Sequence, residues 1–435
     1  MLFPLSVLSH ATPLPRPGPV LAALAIALLM GLQALTTDLY LPGLPLLTRE
    51  LGASLSAAQL TMAALLLAFG VGQLFWGPLS DRWGRRPVLL LGLSTYVAAS
   101  LVAAAVRSIE ALILLRMAQG LAVAATVVVS RAMVRDLYVP AEGAQVMARG
   151  LSGLGAIAII SPLLGGLVTA TLGWRATFLT VACGGAAALA LVVWRLPETL
   201  ALERRHPDRR LISLVQGWGE VLGHPGFRAW ALLTCATYGG LFLFLAASSF
   251  VYIGVLGLSP LAYGGVAASC STSYLLGTVY CRRHLPQRGV TGSVLFATRL
   301  SVLAVLAFVI PALMGPAAGW PALLAVWLPQ LLYQFAHGSY MPCSQVGAVA
   351  PFPHKAGVAS ALTGAASAFV AFGIGLTLGP LLARLGAGVL SWGGALFASL
   401  SCGLIWTLVR RHGELGQAGT ASVPGAAPAA VAAPR

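Results

Sequence analysis

The chain has 435 residues, of which 58% are hydrophobic and 9% charged, and its mean hydropathy is +0.88. That balance excludes a soluble globule of this size. The net charge of +15 does not point to nucleic acid, because the basic residues sit between apolar runs and not on a water-soluble domain.

In chain order, Met1–Pro19 carries five prolines and a single Arg16, with no small-residue cleavage site after the apolar run that follows. It reads as a short cytoplasmic arm. Helix needs about 20 apolar residues to cross a hydrocarbon core of roughly 30 Å. Twelve windows qualify: 20–46, 57–80, 87–106, 111–134, 144–171 and 177–194, then 227–254, 260–281, 292–314, 321–343, 356–382 and 387–409. The runs lack the period-two alternation of a membrane β-barrel. The 50 glycines suit close helix packing in lipid. The fold class expected is therefore all-α and integral to the membrane, with twelve transmembrane helices.

The longest polar stretch, Arg195 to Gly226, separates six spans from six. The expected organisation is an arm over 1–19, a six-helix bundle over 20–194, a linker over 195–226, a second six-helix bundle over 227–409 and a disordered tail over 410–435. Arg82, Arg85, Arg86, Arg135, the arginines of the linker, Arg282, Arg283, Arg288, Lys355, Arg410 and Arg411 fall on one side, against Arg49, Arg107, Arg175 and Arg384 on the other. The positive-inside rule puts the rich side, and both termini, in the cytoplasm. Two echoes suggest parallel repeats with a site between the halves: Gly77 with Asp81 and Arg82 against Gly277 with Cys281 and Arg282, and Ser161–Leu164 against Gly379–Leu382.

Two ionisable residues stand inside spans, Asp38 and Arg116. Each costs a few kcal/mol or more unless it is paired or faces a wet cavity. Their presence points to transport. Burial favours a neutral carboxyl and a nearby arginine favours the carboxylate, so a group held between the two can load and release protons. His337, among Gln330, Tyr333 and Gln334, is the other titratable candidate, for proton relay or substrate bonding. Gln33, Tyr40, Gln119, Tyr238, Phe242 and His337 are the candidate cavity residues. The six cysteines have no metal or disulfide spacing, so no metal is expected. No P-loop, GxSxG or HExxH occurs, which argues against direct use of ATP and against an enzyme.

Between spans 2 and 3 lies Gly77-Pro78-Leu79-Ser80-Asp81-Arg82-Trp83-Gly84-Arg85-Arg86-Pro87. Glycine permits a tight turn there, and the arginines anchor to anionic lipid. The stretch resembles the GxLaDRxGRR signature of the major facilitator superfamily. Thr37-Asp38-Leu39-Tyr40-Leu41-Pro42, Arg116-Met117-Ala118-Gln119-Gly120 and Arg131–Tyr138 are similar to the twelve-span drug:proton antiporters of the Bcr/CflA (bicyclomycin and chloramphenicol resistance) family.

The resemblance implies two pseudo-symmetric six-helix bundles and proton-coupled efflux of small amphiphilic compounds, such as bicyclomycin- or chloramphenicol-like antibiotics, from the inner membrane. It implies that Asp38 trades protons with substrate, that Arg116 tunes that carboxylate or its waters, and that Gly77, Asp81, Arg82, Gly84, Arg85 and Arg86 form a conformational switch. A helix break at Pro162 with Gly165 and Gly166 matches the antiporter signature, but Ser161 and Ile157 replace its usual glycines. Met30 and Gln33 stand where some relatives carry a second acid. The expected partners are protons, a small amphiphile and the bilayer, with no cofactor, no nucleic acid and a monomeric state. A carrier for one metabolite, such as a nucleobase or sugar, and a non-transporting sensor or scaffold are the alternatives. The first would need more polar groups along spans 1, 4, 7 and 10; the second leaves Asp38 and Arg116 without a purpose.

Overall fold

A computed structural model describes residues 18–200, 211–314 and 320–413. The expected arm lies almost wholly outside these residues, as do 201–210 of the expected linker and 414–435 of the expected tail.

Every described regular element is helical, as a chain surrounded by lipid requires, because a helix satisfies its backbone groups within itself. Among the described residues, ten stretches are long and apolar enough to cross a membrane. One of them, Pro260–Ile310, is 51 residues long and turns at Gly289, where φ is 63° and ψ −178°, so it holds two spans. A further helix, Trp320–Val349, has 30 residues but carries Pro329, Gln330, Gln334 and His337, which lower its hydropathy. The spans are α1 (Pro19–Asp38), α2 (Leu55–Trp83), α3 (Arg85–Ala105), α4 (Ile109–Leu137), α5 (Pro140–Leu172), α6 (Trp174–Arg195), α7 (Pro225–Ser249), α8 (260–288), α9 (290–314), α10 (Trp320–Val349), α11 (Ala356–Leu385) and α12 (Gly388–Leu404).

Span 1 is shorter as a helix than its hydropathy suggests. Pro42 and Pro45 withdraw two N–H donors, so α1 stops at Asp38 and resumes as a 3-10 turn at Leu41–Gly43 and a short helix at Leu44–Glu50. The linker also differs from its reading as plain polar chain, since Leu211–Gly223 is helical. Its apolar residues recur at Leu211, Leu214, Val215, Trp218, Val221 and Leu222, a helical stripe that the flanking charges obscured.

α1 to α6 pack among themselves, chiefly α2 on α4, α3 on α4 and α6, and α1 on α5. α7 to α12 repeat the scheme, with α7 on α10, α11 and α12 and the α8–α9 pair on α10. The halves meet along two seams, α2 with α11 and α5 with α8. Among the described residues, the six glycines with positive φ fall at equivalent turns: Gly52 and Gly257, Gly84 and Gly289, Gly173 and Gly386.

This correspondence corrects both expected echoes. Gly77 lies about two turns before Gly84, whereas Gly277 lies more than three turns before Gly289. The spatial match to Gly277, which abuts Phe335 of α10, is Gly72, which abuts Leu121 and Ala124 of α4. Likewise Gly166 lies against Pro260 at the start of α8, and Gly379 against Ser56 at the start of α2. Gly379 therefore matches Gly166, and Pro162 and Pro380 sit on different turns.

Candidate functional site

Between the halves lies a cavity of about 130 Å³. Gln33 of α1 and Tyr238 of α7 face it, with Phe69 and Gln73 of α2 and Ser360, Thr363 and Ser367 of α11. Val127 and Arg131 of α4 contribute from one side, and Met341 and Gln345, at the same four-residue interval, from the matching face of α10. Gln73, Arg131, Gln345 and Ser360 lie toward the helix ends on the face that carries the α2–α3 turn, so the mouth is on that face. The opposite end is shut. There Gly166 abuts α8, Gly379 abuts α2, and Gln59 Nε2 of α2 donates to the Ala246 carbonyl of α7 at 2.7 Å. Ligand cavities commonly exceed 300 Å³ or so, so loading a substrate requires the mouth to widen.

Of the six expected cavity residues, Gln33 and Tyr238 line it. Tyr40, Gln119, Phe242 and His337 are buried in helix packing instead. Arg131 was legible only as part of a motif. Its exposure into the cavity follows from its place one turn beyond Val127, which sequence period alone cannot aim.

Asp38, at the last residue of α1, is half-buried. Its Oδ1 accepts a hydrogen bond from Thr37 Oγ1 at 2.8 Å. It lies within electrostatic reach of Tyr238 of α7 and Tyr263 of α8, and so beyond the cavity floor at the junction of the halves. No Lys, Arg or His lies within ion-pair distance of it among the described residues.

Arg116 is fully buried and is not brought to Asp38 as an ion pair. Its Nη1 donates to the Thr36 carbonyl at 3.2 Å and to Gln119 Oε1 at 3.1 Å, and its Nη2 lies 3.2 Å from Met62 Sδ. The guanidinium covers the Tyr40 ring at 4.3 Å, a cation–π contact that a dry site strengthens. The bonds continue outward. Gln119 Nε2 donates to Ser100 Oγ at 2.8 Å, Ser100 Oγ to the Tyr96 carbonyl at 2.7 Å, and Tyr96 OH pairs with Thr36 Oγ1 at 2.6 Å. Tyr40 OH pairs with Thr61 Oγ1 at 2.8 Å. Arg116 thus ties α1, just before its break, to α2, α3 and α4.

The switch motif forms a second polar centre. Gly84, at φ 102° and ψ 161°, makes a turn that L side chains rarely adopt. Arg85 folds beneath it and donates to Ser80 Oγ at 2.6 Å, Asp81 Oδ1 at 2.7 Å and Asp136 Oδ2 of α4 at 2.8 Å. Glu198 accepts the backbone N–H groups of Arg85 at 2.9 Å and Arg86 at 3.3 Å, where the first turn of α3 favours negative charge. Arg86 Nη2 reaches the Val193 carbonyl at 2.8 Å. Asp81, Gly84, Arg85 and Arg86 are therefore brought together; Gly77 and Arg82 flank them, with Gly77 accepting from Ser80 Oγ at 2.8 Å. Asp136 and Glu198 are members that the motif alone did not reveal. Asp136 had been legible only beside Arg135.

On α5, Pro162 sits within an unbroken helix, and Gly165 and Gly166 let it approach the Leu39 carbonyl just past the end of α1 and the Pro260 carbonyl of α8. Ser161 Oγ donates to the Ile157 carbonyl at 2.7 Å. The motif thus packs beside Asp38 at the shut end.

Two six-helix bundles meeting along two seams, with a one-sided cavity between them, define a membrane transporter of the alternating-access type. The chain belongs to the Major Facilitator Superfamily, whose family model matches residues 26–372. It is 32% identical over 375 residues to the multidrug resistance protein D of Escherichia coli, covering 84% of this chain and 90% of that one. It is 28% identical to the bicyclomycin resistance protein homolog of Haemophilus influenzae, covering 83% and 88%. The D-xylose-proton symporter crystal structure shares the fold at a TM-score of 0.70 and 15% identity, over 90% of this chain and 97% of that one.

Proposed function

We propose that this transporter exports small amphiphilic compounds, antibiotics among them, in exchange for protons, from a cavity that opens to the cytoplasm in the conformation described. The observation that carries the reading is Asp38. A carboxyl inside a span, without an ion-pair partner and next to a cavity between two bundles, is costly unless it has a cycle of protonation to serve. When it is protonated it loses its pull on polar groups, so proton and substrate bind with opposite preference. Arg116 supports this centre from a distance, by holding the Thr36 carbonyl two residues before Asp38.

The arginine-rich face is assigned to the cytoplasm by the positive-inside rule, with both termini there and the inner membrane as the location. The driving force is the proton gradient, with no cofactor; the protein acts as a monomer and is not an enzyme. The names of the two relatives support drug export, as does a cavity with hydroxyl and amide groups but one charge, Arg131. A drug-susceptibility panel in an efflux-deficient host tests the reading. The wild type should raise resistance to several amphiphilic antibiotics and Asp38→Asn to none. Equal resistance from both contradicts it.

A further inference from the structure

The second half of the chain is basic with nothing to balance it. Between residues 221 and 413 stand eight Arg and one Lys, and no Asp or Glu. Glu220, the nearest acid before that stretch, is paired with Lys355. In the first half Arg85 is gripped by Asp81 and Asp136. The matching turn at Gly289 is flanked by Arg282, Arg283 and Arg288, all exposed, and their own bundle has no carboxylate to meet them.

Arg299 sharpens the problem. It lies ten residues beyond Gly289 on α9, which is about 15 Å along the helix, and it is exposed. Val302, Leu303, Leu306, Ile310 and Leu313 are exposed on the same face at helical spacing, so that stripe meets lipid. The positive-inside rule concerns loops and does not account for a cation at the head of such a stripe. A charge there is costly unless something pairs with it. A long side chain on a helix runs back toward the N-terminus, here toward Phe296 and the Gly289 turn. Arg288 arrives at the same ring. Its guanidinium lies 5.0 Å from the Phe296 ring and 5.5 Å from the Tyr280 ring, and its Nη1 donates to Tyr280 OH at 2.8 Å. The Tyr280 and Phe296 rings stack 4.7 Å apart, with His284 on the other ring contact of Tyr280 at 4.1 Å. The α8–α9 corner therefore holds one guanidinium on an aromatic shelf, with a second cation deeper on the same side.

We infer that this corner binds the phosphate of an anionic phospholipid, in the leaflet on the side of the α2–α3 turn. The chemistry of the donors decides the class. A guanidinium presents a planar fork of N–H groups that matches a phosphate, and one of the five on Arg288 is engaged by Tyr280. Arg299 calls for an anion that enters the margin of the hydrocarbon, which a soluble phosphate does not do. A phospholipid brings both parts, a phosphate for the two arginines and acyl chains for the stripe from Val302 to Leu313. A net negative headgroup is favoured over a zwitterionic one, because no carboxylate in this half offsets the arginines. The site lies outside the cavity between the bundles, so it stands or falls apart from the export reading.

The full-length protein in detergent, offered equal amounts of phosphatidylglycerol and phosphatidylcholine, tests this by native mass spectrometry of the lipids retained. The wild type should retain phosphatidylglycerol in preference by about tenfold or more, as two basic residues at an anionic surface require. Arg299→Leu and Arg288→Gln should each cut that preference about fivefold, the share of one such residue. Arg384→Gln, which removes an exposed charge from the opposite end of the same bundle, should leave it unchanged. Phosphatidylglycerol should raise the apparent Tm of the wild type and of Arg384→Gln, and should no longer do so for Arg299→Leu, whose Tm without lipid stays at the wild-type value. Equal retention of the two lipids by the wild type overturns the inference. So does full preference in both corner variants, or an equal loss in Arg384→Gln, which would make the effect one of net charge alone. A rise in Tm with millimolar inorganic phosphate that matches the rise with phosphatidylglycerol overturns it in favour of a site for the free anion.

Discussion

Arg116 and Asp38 read alike in the sequence, as charges inside apolar runs, but they solve the same problem differently. Arg116 is compensated in most of its directions: it covers the Tyr40 ring and donates to the Thr36 carbonyl of α1 and to Gln119 Oε1 of its own helix, with its Nε alone lacking a partner among the described residues. Asp38 has a hydroxyl and no counter-charge. The sequence made both legible because charge is expensive in lipid, but it could not show which was compensated, since the compensation comes from Thr36, Tyr40 and Met62 on other helices. Arg116→Ala should leave Thr36 and Gln119 acceptors unpaired at about 1–3 kcal/mol each. The expected result is an apparent Tm lower by several degrees together with weaker export. Asp38→Asn, which removes a charge from the membrane, should keep its Tm. Detergent-solubilised thermal melts of the two variants check this, and a larger loss for Asp38→Asn would contradict the division of roles.

At the scale of elements, the turns and seams hold the switching parts. Arg85 sits between Asp81, Asp136 and Ser80 while Glu198 caps the α3 start, so the turn after Gly84 is fastened to α4 and to the end of α6. Asp136→Asn should impair transport as severely as Asp81→Asn, because both carboxylates grip one guanidinium. Both should leave chloramphenicol binding within about twofold, since neither lines the cavity. Transport and binding assays on the two purified variants separate the outcomes, and an active Asp136→Asn would show that the α4 contact is dispensable. At the shut end, the backbones at Gly166 and Gly379 touch α8 and α2. A Cβ added at either must push the seam apart, so Gly166→Val and Gly379→Val should favour opening on that face. Labelling of a cysteine introduced at Ser56 or Ser259 by a membrane-impermeant maleimide should then rise several-fold, and unchanged labelling would contradict the seam's role.

For the whole molecule, the number of spans was legible because twenty apolar residues have few other uses, and only their ends moved. The prolines after Asp38 shortened the first helix, and the linker helix was hidden by its charged neighbours. The internal symmetry was legible in kind but not in register. Sequence likeness pointed to Gly277 and Pro380, whereas close approach pairs Gly72 with Gly277 and Gly166 with Gly379, because packing selects where a backbone must come near and not which letters recur. The cavity was the least legible part. Which of many polar residues face it depends on how the two bundles rotate about the seams, and Gln119 and Phe242, promising by composition, turn away into the packing.

The central claim is that Asp38 exchanges a proton for substrate, and proton movement in reconstituted vesicles tests it most directly. Wild-type vesicles loaded with a pH-sensitive dye should show a pH change when an exported compound is added, and Asp38→Asn vesicles, with protein equally folded and inserted, should show none. A normal substrate-dependent pH change in the Asp38→Asn vesicles would contradict the account.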